Sequence, residues 1–471
     1  MYSFLTGIAL LVVGYFTYGL LIEKVLKIDP KRVTPAYKNQ DGVDFVPMAT
    51  WRVYLIQFLN IAGLGPIFGA VMGAKFGVSA YLWIVLGTIF AGATHDMIAG
   101  VLSMRHDGES LPETIGRYLG VTVKQLIRGF SVVLMILVGA VFVAGPATLL
   151  AKLTPSSLDY TFWLYVIFGY YLLATLLPID KLIGRIYPVF AVALFFMALA
   201  MLGVLVWQWP SMPEVTDGLQ NTNPNGMPIF PMMFISIACG AISGFHATQS
   251  PLMARCMKNE RHARPVFYGA MVSEGIVAMI WAAVAIYFFH TPDGAVFFAD
   301  TTDNAAVVVD TVMRDWLGPL GAILAMLGVI AAPITSGDTA LRSARLIVAD
   351  FTRLDQRQII KRLLIVVPLF ALTFVVLQFD FGVIWRYFAW ANQTLAVFTL
   401  WALTVYLVQN SRYYWITLIP ALFMTAVCST YILMADTGFG ININISYIWG
   451  AVVTLGALGL FMIKQKKHIL R

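Results

Sequence analysis

Charge is what this chain has least of. Asp, Glu, Lys and Arg make up only 12% of its 471 residues, against 59% hydrophobic, and the mean hydropathy is +0.80. Soluble domains carry about a quarter charged residues, so there is too little polar surface here to clothe a water-facing globule. Cysteine is nearly missing too. Cys239, Cys256 and Cys428 fit no metal-ligand or disulfide spacing and read as small apolar helix residues. Period-two alternation is lacking, which excludes a membrane β-barrel. No soluble insert or low-complexity tail interrupts the chain, which reads as one membrane domain over 1–471. The first apolar run lacks a basic start and an A-x-A cleavage site, so a retained helix is expected there rather than a signal peptide. A net charge of +7 does not point to nucleic acid, because the basic residues sit in short loops without an aromatic-basic patch.

What the chain has in abundance is apolar runs of about 20 residues, the length that crosses a bilayer as a helix. Thirteen candidate spans follow: 2–23, 53–73, 80–104, 129–151, 161–178, 186–208, 229–254, 266–290, 318–341, 363–379, 384–408, 413–434 and 446–463. The fold class expected is an all-α polytopic membrane protein, with the lipid bilayer of an inner or plasma membrane as its solvent. Loop charge orients it. Of the 31 Lys and Arg residues, all but Lys75, Lys152, Arg314 and Arg386 fall after odd-numbered spans. Basic loops stay on the cytoplasmic side, which places the N-terminus outside and the C-terminus inside. Two long outer segments, Pro210–Pro228 and Thr291–Trp316 with Asp293, Asp300, Asp303 and Asp310, are expected to cap the outer face.

Two spans are interrupted at depth. Span 2 contains Asn60, Gly63, Gly65 and Pro66, and span 7 contains Gly240, Ser243, Gly244 and His246. Glycine and proline weaken a helix, and a break in lipid persists only against protein, water or ligand. Small-residue packing of the G-x-x-x-G kind would also use Gly65/Gly69 and Gly240/Gly244. The relation between the two spans favours the break. Five spans separate their starts, so spans 2–6 (53–208) and 7–11 (229–408) have opposite orientation, the arrangement of an inverted-repeat transporter. The remainder is one additional helix at 2–23 and two at 413–463.

Ionisable groups inside spans mark sites by default, because they are costly in hydrocarbon. His95 and Asp96 share a broad face of span 3 and form a candidate proton-sensitive pair. His246 stands just past the second break, followed by Gln249, and is either a packing residue or a donor to a substrate carboxylate. Thr335, Ser336 and Asp338 in span 9 suit a sodium ion or a proton, although Asp338 and Arg342 are also spaced for an i, i+4 ion pair. Glu274 and the Asn392-Gln393 pair are weaker candidates that fit interhelical hydrogen bonding.

Gly65-Pro66, Ala93-Thr94-His95-Asp96, Met104-Arg105-His106-Asp107-Gly108, Ser243-Gly244-Phe245-His246, Tyr268-Gly269-Ala270-Met271 and Ala391-Asn392-Gln393 occur in that order. Together they resemble the carbon starvation protein A family over nearly the whole chain. The resemblance implies an amino-acid/polyamine-carrier-like five-plus-five fold and ion-coupled uptake of pyruvate or small peptides. It also implies that the breaks of spans 2 and 7 are the substrate helices, and that Thr335 and Ser336 face span 2 where sodium-coupled relatives hold an ion. This chain is shorter than the family's long members and departs from them after His246.

The function expected is import of a small anionic or zwitterionic nutrient by alternating access, without enzymatic chemistry or an organic cofactor. Substrate binding is assigned to Asn60, Gly63, Gly65, Gly240, Ser243, Gly244, His246 and Gln249, and coupling to H+ or Na+ is assigned to His95, Asp96, Thr335, Ser336 and Asp338. The rival readings are an intramembrane enzyme holding a metal between His95, Asp96 and His246, and a channel. No H-E-x-x-H supports the metal. A homo-oligomer is compatible with the sequence but not required by it.

Overall fold

In the computed structural model, which describes residues 1–176, 179–299, 305–354, 356 and 358–469, the apolar runs fold as helices and no strand is present among the described residues. In chain order these are α1 (Tyr2–Leu26), α2 (Thr50–Ala62), α3 (Gly65–Ala74), α4 (Ser79–Arg105) and α5 (Val121–Leu153). They continue with α6 (Tyr160–Leu176), α7 (Ile179–Gln208), α8 (Ala238–Ala241), α9 (Gly244–Ala254) and α10 (Glu260–Phe289). The last five are α11 (Ala305–Thr352, broken at Gly318 where φ is +66°), α12 (Ile359–Val376), α13 (Phe381–Gln409), α14 (Trp415–Met434) and α15 (Ile443–Ile469).

Among the described residues, nine helices are long and apolar enough to cross a membrane, or ten if the bent pair α2–α3 is one span. The chain is therefore a polytopic membrane protein. The other expected spans fall on the shorter α6, on the interrupted stretch that ends in α8 and α9, and on part of α11. Helices run past their expected ends where nothing stops them. α5 begins at Val121 rather than 129, because Gly129 has open space around it and helix continues on both sides.

Segment 291–316 is helical over most of its described residues. Pro292–Ala299 is helical, and α11 starts at Ala305 with an Asp310–Arg314 pair at 2.9 Å. Its Asp300 and Asp303 lie outside the described residues, as do Arg357 and Arg471 of the basic loops. Segment 210–228 folds back on the bundle, where Thr222 Oγ1 donates to the Lys75 carbonyl at 3.0 Å.

Burial separates the helices by role. α4, α10 and α13 are enclosed over most of their length, whereas α1 and α15 present mainly exposed apolar side chains such as Val12, Val13, Leu455 and Ile463. Such faces are stable only in lipid. Around the enclosed helices, α5 packs on α11, α11 on α7, and α13 on α14. α9 lies against α2, α4 and α13.

Both interruptions lie in this enclosed region. α2 and α3 meet at an angle of 50°, hinged at Gly63. Its φ of +21° and ψ of −139° suit only glycine, and an added Cβ would fall 2.6 Å from the Phe142 ring. In span 7 the chain is extended at Ile242 and Ser243 between α8 and α9. The two breaks touch. A Cβ on Gly65 would lie 2.1 Å from Cys239 Cβ, and one on Gly240 would lie 3.7 Å from Pro66 Cα.

Among the glycines of the two breaks, Gly244 meets main-chain atoms most closely. Its Cβ would fall 2.4 Å from both the Ala396 nitrogen and the Asn392 oxygen, which are main-chain atoms of α13. Gly244→Ala is expected to destabilise the protein by about 1–3 kcal/mol, the usual cost of overpacking a core. Gly129→Ala, with nothing within 4 Å, is expected to be neutral or slightly stabilising. Thermal unfolding of both variants in detergent checks the contrast, and equal melting temperatures would remove the packing assignment.

Candidate functional site

A broken helix leaves carbonyls and amides without their usual partners. Three side chains from other helices take them up here. Thr88 Oγ1 on α4 donates to the Gly240 carbonyl at 3.2 Å, in the last turn of α8. Ser336 Oγ on α11 donates to the Leu59 carbonyl at 2.7 Å, in the last turn of α2. Asn392 Oδ1 on α13 accepts from the Phe245 amide at 2.7 Å and from Ser243 Oγ at 3.0 Å, capping the start of α9. Thr335 and Ser336 therefore belong to the turn that meets α2. Thr335 Oγ1 itself bonds to the Ala332 carbonyl at 2.7 Å.

Between the breaks runs a line of buried ionisable groups. A widened i→i+5 turn at Gly87–Gly92 precedes Ala93 and sets the direction in which His95 and Asp96 leave α4. The Asp96 carboxylate holds two imidazoles at once. Its Oδ1 lies 2.8 Å from His95 Nδ1 and its Oδ2 lies 2.9 Å from His246 Nδ1. On the far side of the His246 ring, Nε2 is 3.4 Å from Glu274 Oε2 on α10. All four side chains are fully buried. Sequence reasoning placed Glu274 among interhelical polar residues. Being acidic in an otherwise apolar helix was the signal, but its partner comes from a different span and is not readable along the chain.

Further buried polar atoms surround this line. Neither amide atom of Asn60 or Gln57 on α2, nor of Gln393 on α13, has a hydrogen-bond partner. Gln249 faces the other way, donating to Thr248 Oγ1 at 2.9 Å and Ser343 Oγ at 3.4 Å. Asp338 is also apart from the histidines. Its Oδ2 accepts from the Tyr187 hydroxyl at 2.5 Å, and its Oδ1 has no hydrogen-bond partner. Asn60, Gly63, Gly65, Gly240, Ser243, Gly244, His246, His95 and Asp96 thus come together around the breaks, with Ser336 at their edge. Asp338 and Gln249 form separate contacts.

The Nδ1 atoms of His95 and His246 are both committed to the Asp96 carboxylate, one on each oxygen, and among the described residues no group of three or more His, Cys, Asp or Glu is arranged to hold an ion.

One end of the bundle is sealed by a contact that the sequence did not reveal. Asp44, in the loop before α2, is buried against two arginines of α11. Arg345 Nη2 reaches its oxygens at 3.2 and 3.4 Å, and Arg342 Nη1 reaches Oδ1 at 3.6 Å. Arg342 also donates to the Ala174 carbonyl at 2.6 Å. Next to Asp44, the Arg255 guanidinium covers the Phe45 ring at 5.0 Å and donates to the Gly108 carbonyl at 2.8 Å. The Met48 amide bonds to the Cys256 carbonyl at 3.0 Å. The loop before one broken span is therefore tied to the chain just beyond the other.

The sequence profile of the carbon starvation protein CstA matches residues 1–158, 151–316 and 302–431. The chain belongs to the carbon starvation CstA family. A membrane protein of Haemophilus influenzae is 42% identical over 62% of this chain and 92% of its own length. The peptide transporter CstA of Helicobacter pylori is 31% identical over 63% of this chain and 53% of its own. The pyruvate/proton symporter BtsT of Escherichia coli is 29% identical over 64% of this chain and 50% of its own. The match to these two transporters thus spans about half of their length. Among solved structures, the manganese transporter of Eremococcus coleocola, as a single-substitution variant, superposes with a TM-score of 0.55. That match covers 92% of this chain and 99% of the other at 14% identity, which is a likeness of fold alone. Within this CstA family member, the motifs Ala93–Asp96, Ser243–His246 and Ala391–Gln393 meet at one place, each supplying a side chain that holds another.

Burial alone would raise the Asp44 carboxyl, but the Arg345, Arg342 and Arg255 guanidinium groups outweigh it and hold it below the usual carboxylate range. A depressed folded value means that the stabilisation is complete above the ordinary carboxylate pKa and is lost only as pH falls through the lower folded one. Asp44→Asn removes the carboxylate bonded to buried Arg345, which costs about 3–5 kcal/mol for a buried pair. Buried Cys256 is a built-in reporter, with Cys239 and Cys428 replaced by alanine. Maleimide labelling of Cys256 at neutral pH is expected to rise sharply in Asp44→Asn over the parent. Unchanged labelling in the variant would exclude the seal.

Proposed function

We propose that this chain is an ion-coupled secondary transporter that imports a small carboxylate nutrient, pyruvate or small peptides and amino acids, by alternating access. In this reading thirteen spans cross an inner or plasma membrane, with the N-terminus outside and the C-terminus inside. Spans 2–6 and 7–11 form the inverted five-plus-five repeat within one membrane domain, flanked by one helix at 2–23 and two at 413–463. The observation that carries the reading is the His95–Asp96–His246 bridge from α4 to α9, beside the two helices that break against each other. A polar line of this kind is costly in a membrane and is retained at substrate and ion pathways.

The start of α9 supplies main-chain N–H groups and the positive end of a helix, which favour a carboxylate. Asn392 Oδ1 already accepts from one of these amides, so it marks where an anionic oxygen would bind in its place. Asn60, Gly63 and Gly65 form the opposite wall, and His246 reads the protonation of the site. Asp96, His95, Thr335, Ser336 and Asp338 are assigned to coupling. The Asp44 end carries basic loops, so in this orientation it is the inner side. Names of family members support both substrate classes and, for one of them, a proton as the driving ion. No enzymatic step is assigned.

Reconstitution in liposomes with labelled pyruvate and dipeptide, under separately imposed proton and sodium gradients, tests the reading. Uptake of one substrate is expected under one gradient. Asp96→Asn, which turns an acceptor of two imidazole N–H groups into an amide, is expected to lower gradient-driven uptake at least tenfold. No uptake of either substrate under either gradient would sink the assignment.

A further inference from the structure

We infer that Glu274 and His246 share one exchangeable proton, and that this proton is the ion whose movement drives transport. The inference rests on the transport reading above and names the coupling ion and its carrier within it.

Asp96 fixes the tautomers. As a carboxylate it accepts at both oxygens, so His95 and His246 each present Nδ1–H to it, at 2.8 and 2.9 Å. His246 then has a bare lone pair at Nε2, and that atom lies 3.4 Å from Glu274 Oε2. Neither Glu274 oxygen has a hydrogen-bond partner, nor has His246 Nε2, and both side chains are fully buried. An ionised Glu274 opposite a bare Nε2 would set two lone pairs against each other in a medium that penalises an unpaired charge. One proton resolves this; at rest without substrate it lies on the Glu274 carboxyl, which keeps the pair neutral, and it can pass to His246 Nε2. Transfer between them breaks the Glu274 O–H bond, forms the His246 Nε2–H bond and leaves a carboxylate beside an imidazolium. The Nδ1–H bond to Asp96 stays in place throughout.

The groups facing Glu274 support this assignment. His246 from α9 is nearest, Asp96 from α4 stands behind that ring, and the Cys239 thiol comes from α8. From α2 the titratable Tyr54 is bonded to Ser273 Oγ at 2.7 Å, and Gln57 and Asn60 are uncharged. No Lys or Arg is among these neighbours to neutralise the carboxylate. Without the shared proton the line carries the charges of both Asp96 and Glu274. With it, only one negative charge remains. A carboxylate substrate approaching the start of α9, where His246 resides, is repelled less by the loaded state. By linkage, substrate then raises the affinity for the proton by the same factor. Co-movement in one direction follows.

Glu274→Gln mimics the neutral, loaded carboxyl at nearly the same volume. In liposomes the variant is expected to keep substrate counterflow within a few-fold of the parent while losing accumulation driven by a proton gradient by at least tenfold. Infrared titration without substrate gives an independent readout. The parent is expected to show the C=O stretch of a protonated buried carboxylic acid near neutral pH, and Glu274→Gln is expected to lack it. Should Glu274→Gln fail to fold, Glu274→Asp takes its place, with the band shifted and coupling reduced. The inference is overturned if the band is absent from the parent, if Glu274→Gln still accumulates substrate on a proton gradient, or if the parent accumulates on sodium alone. A parent that moves neither substrate defeats the transport reading instead, and the infrared band still decides whether Glu274 holds a proton.

Discussion

A helix interrupted inside a bilayer persists only where other groups take over the hydrogen bonds it gives up. Here that demand is met by placing the two interruptions against each other and surrounding them with side chains from three further helices. Thr88, Ser336 and Asn392 each bond to a main-chain or capping group at a break, and each comes from a different helix. The rest of the arrangement follows. α4 has to lie close to α8, which Gly87 and Gly92 permit, since a Cβ on Gly92 would fall 2.3 Å from the Ala241 oxygen. α13 has to approach α9 closely enough for its backbone to touch Gly244. These constraints enclose α4, α10 and α13 and leave α1 and α15 to face lipid.

Polarity follows the same geometry. The ionisable side chains could not have been distributed singly through the spans without each facing hydrocarbon alone. Asp96 instead takes an imidazole on each oxygen, linking α4 to α9, and His246 passes the line on to α10. A single carboxylate thereby fixes two ring orientations. Replacing Asp96 by a group with fewer acceptor sites disturbs both rings, whereas a change at Asp338 acts on a separate contact with Tyr187.

The breaks were legible because glycine and proline at 63–66 and 240–244 interrupt otherwise apolar runs, and His95, Asp96 and His246 stood out as ionisable residues at depth. Their mutual bonds were not legible, since Asp96 and His246 are 150 positions apart and nothing in either segment names the other. Asn392 and Glu274 were visible as polar residues, but their roles depend on which backbone and which ring they meet. Asp44 gave no signal at all. It lies outside every span, and its arginine partners are about 300 residues away. Helix ends were misjudged for a local reason: hydropathy marks where lipid begins, while the helix continues until a glycine or a lost bond stops it, as at Val121–Leu153.

The caps at the breaks also bear on how tightly a ligand can be held. The Phe245 amide is already bonded to Asn392 Oδ1. A carboxylate that replaces this neutral acceptor gains a charge-assisted bond, roughly twice as strong as a neutral one. It must also displace the existing bond, so the net gain per amide is only about 1 kcal/mol. Tight binding would then require several such exchanges at once. A carrier benefits from the opposite, because a site that closes on itself when empty can return without its cargo, and modest affinity lets the cargo leave. In the proposed carrier, the same self-satisfied break that makes the interrupted helices tolerable in lipid therefore limits how firmly they hold a carboxylate.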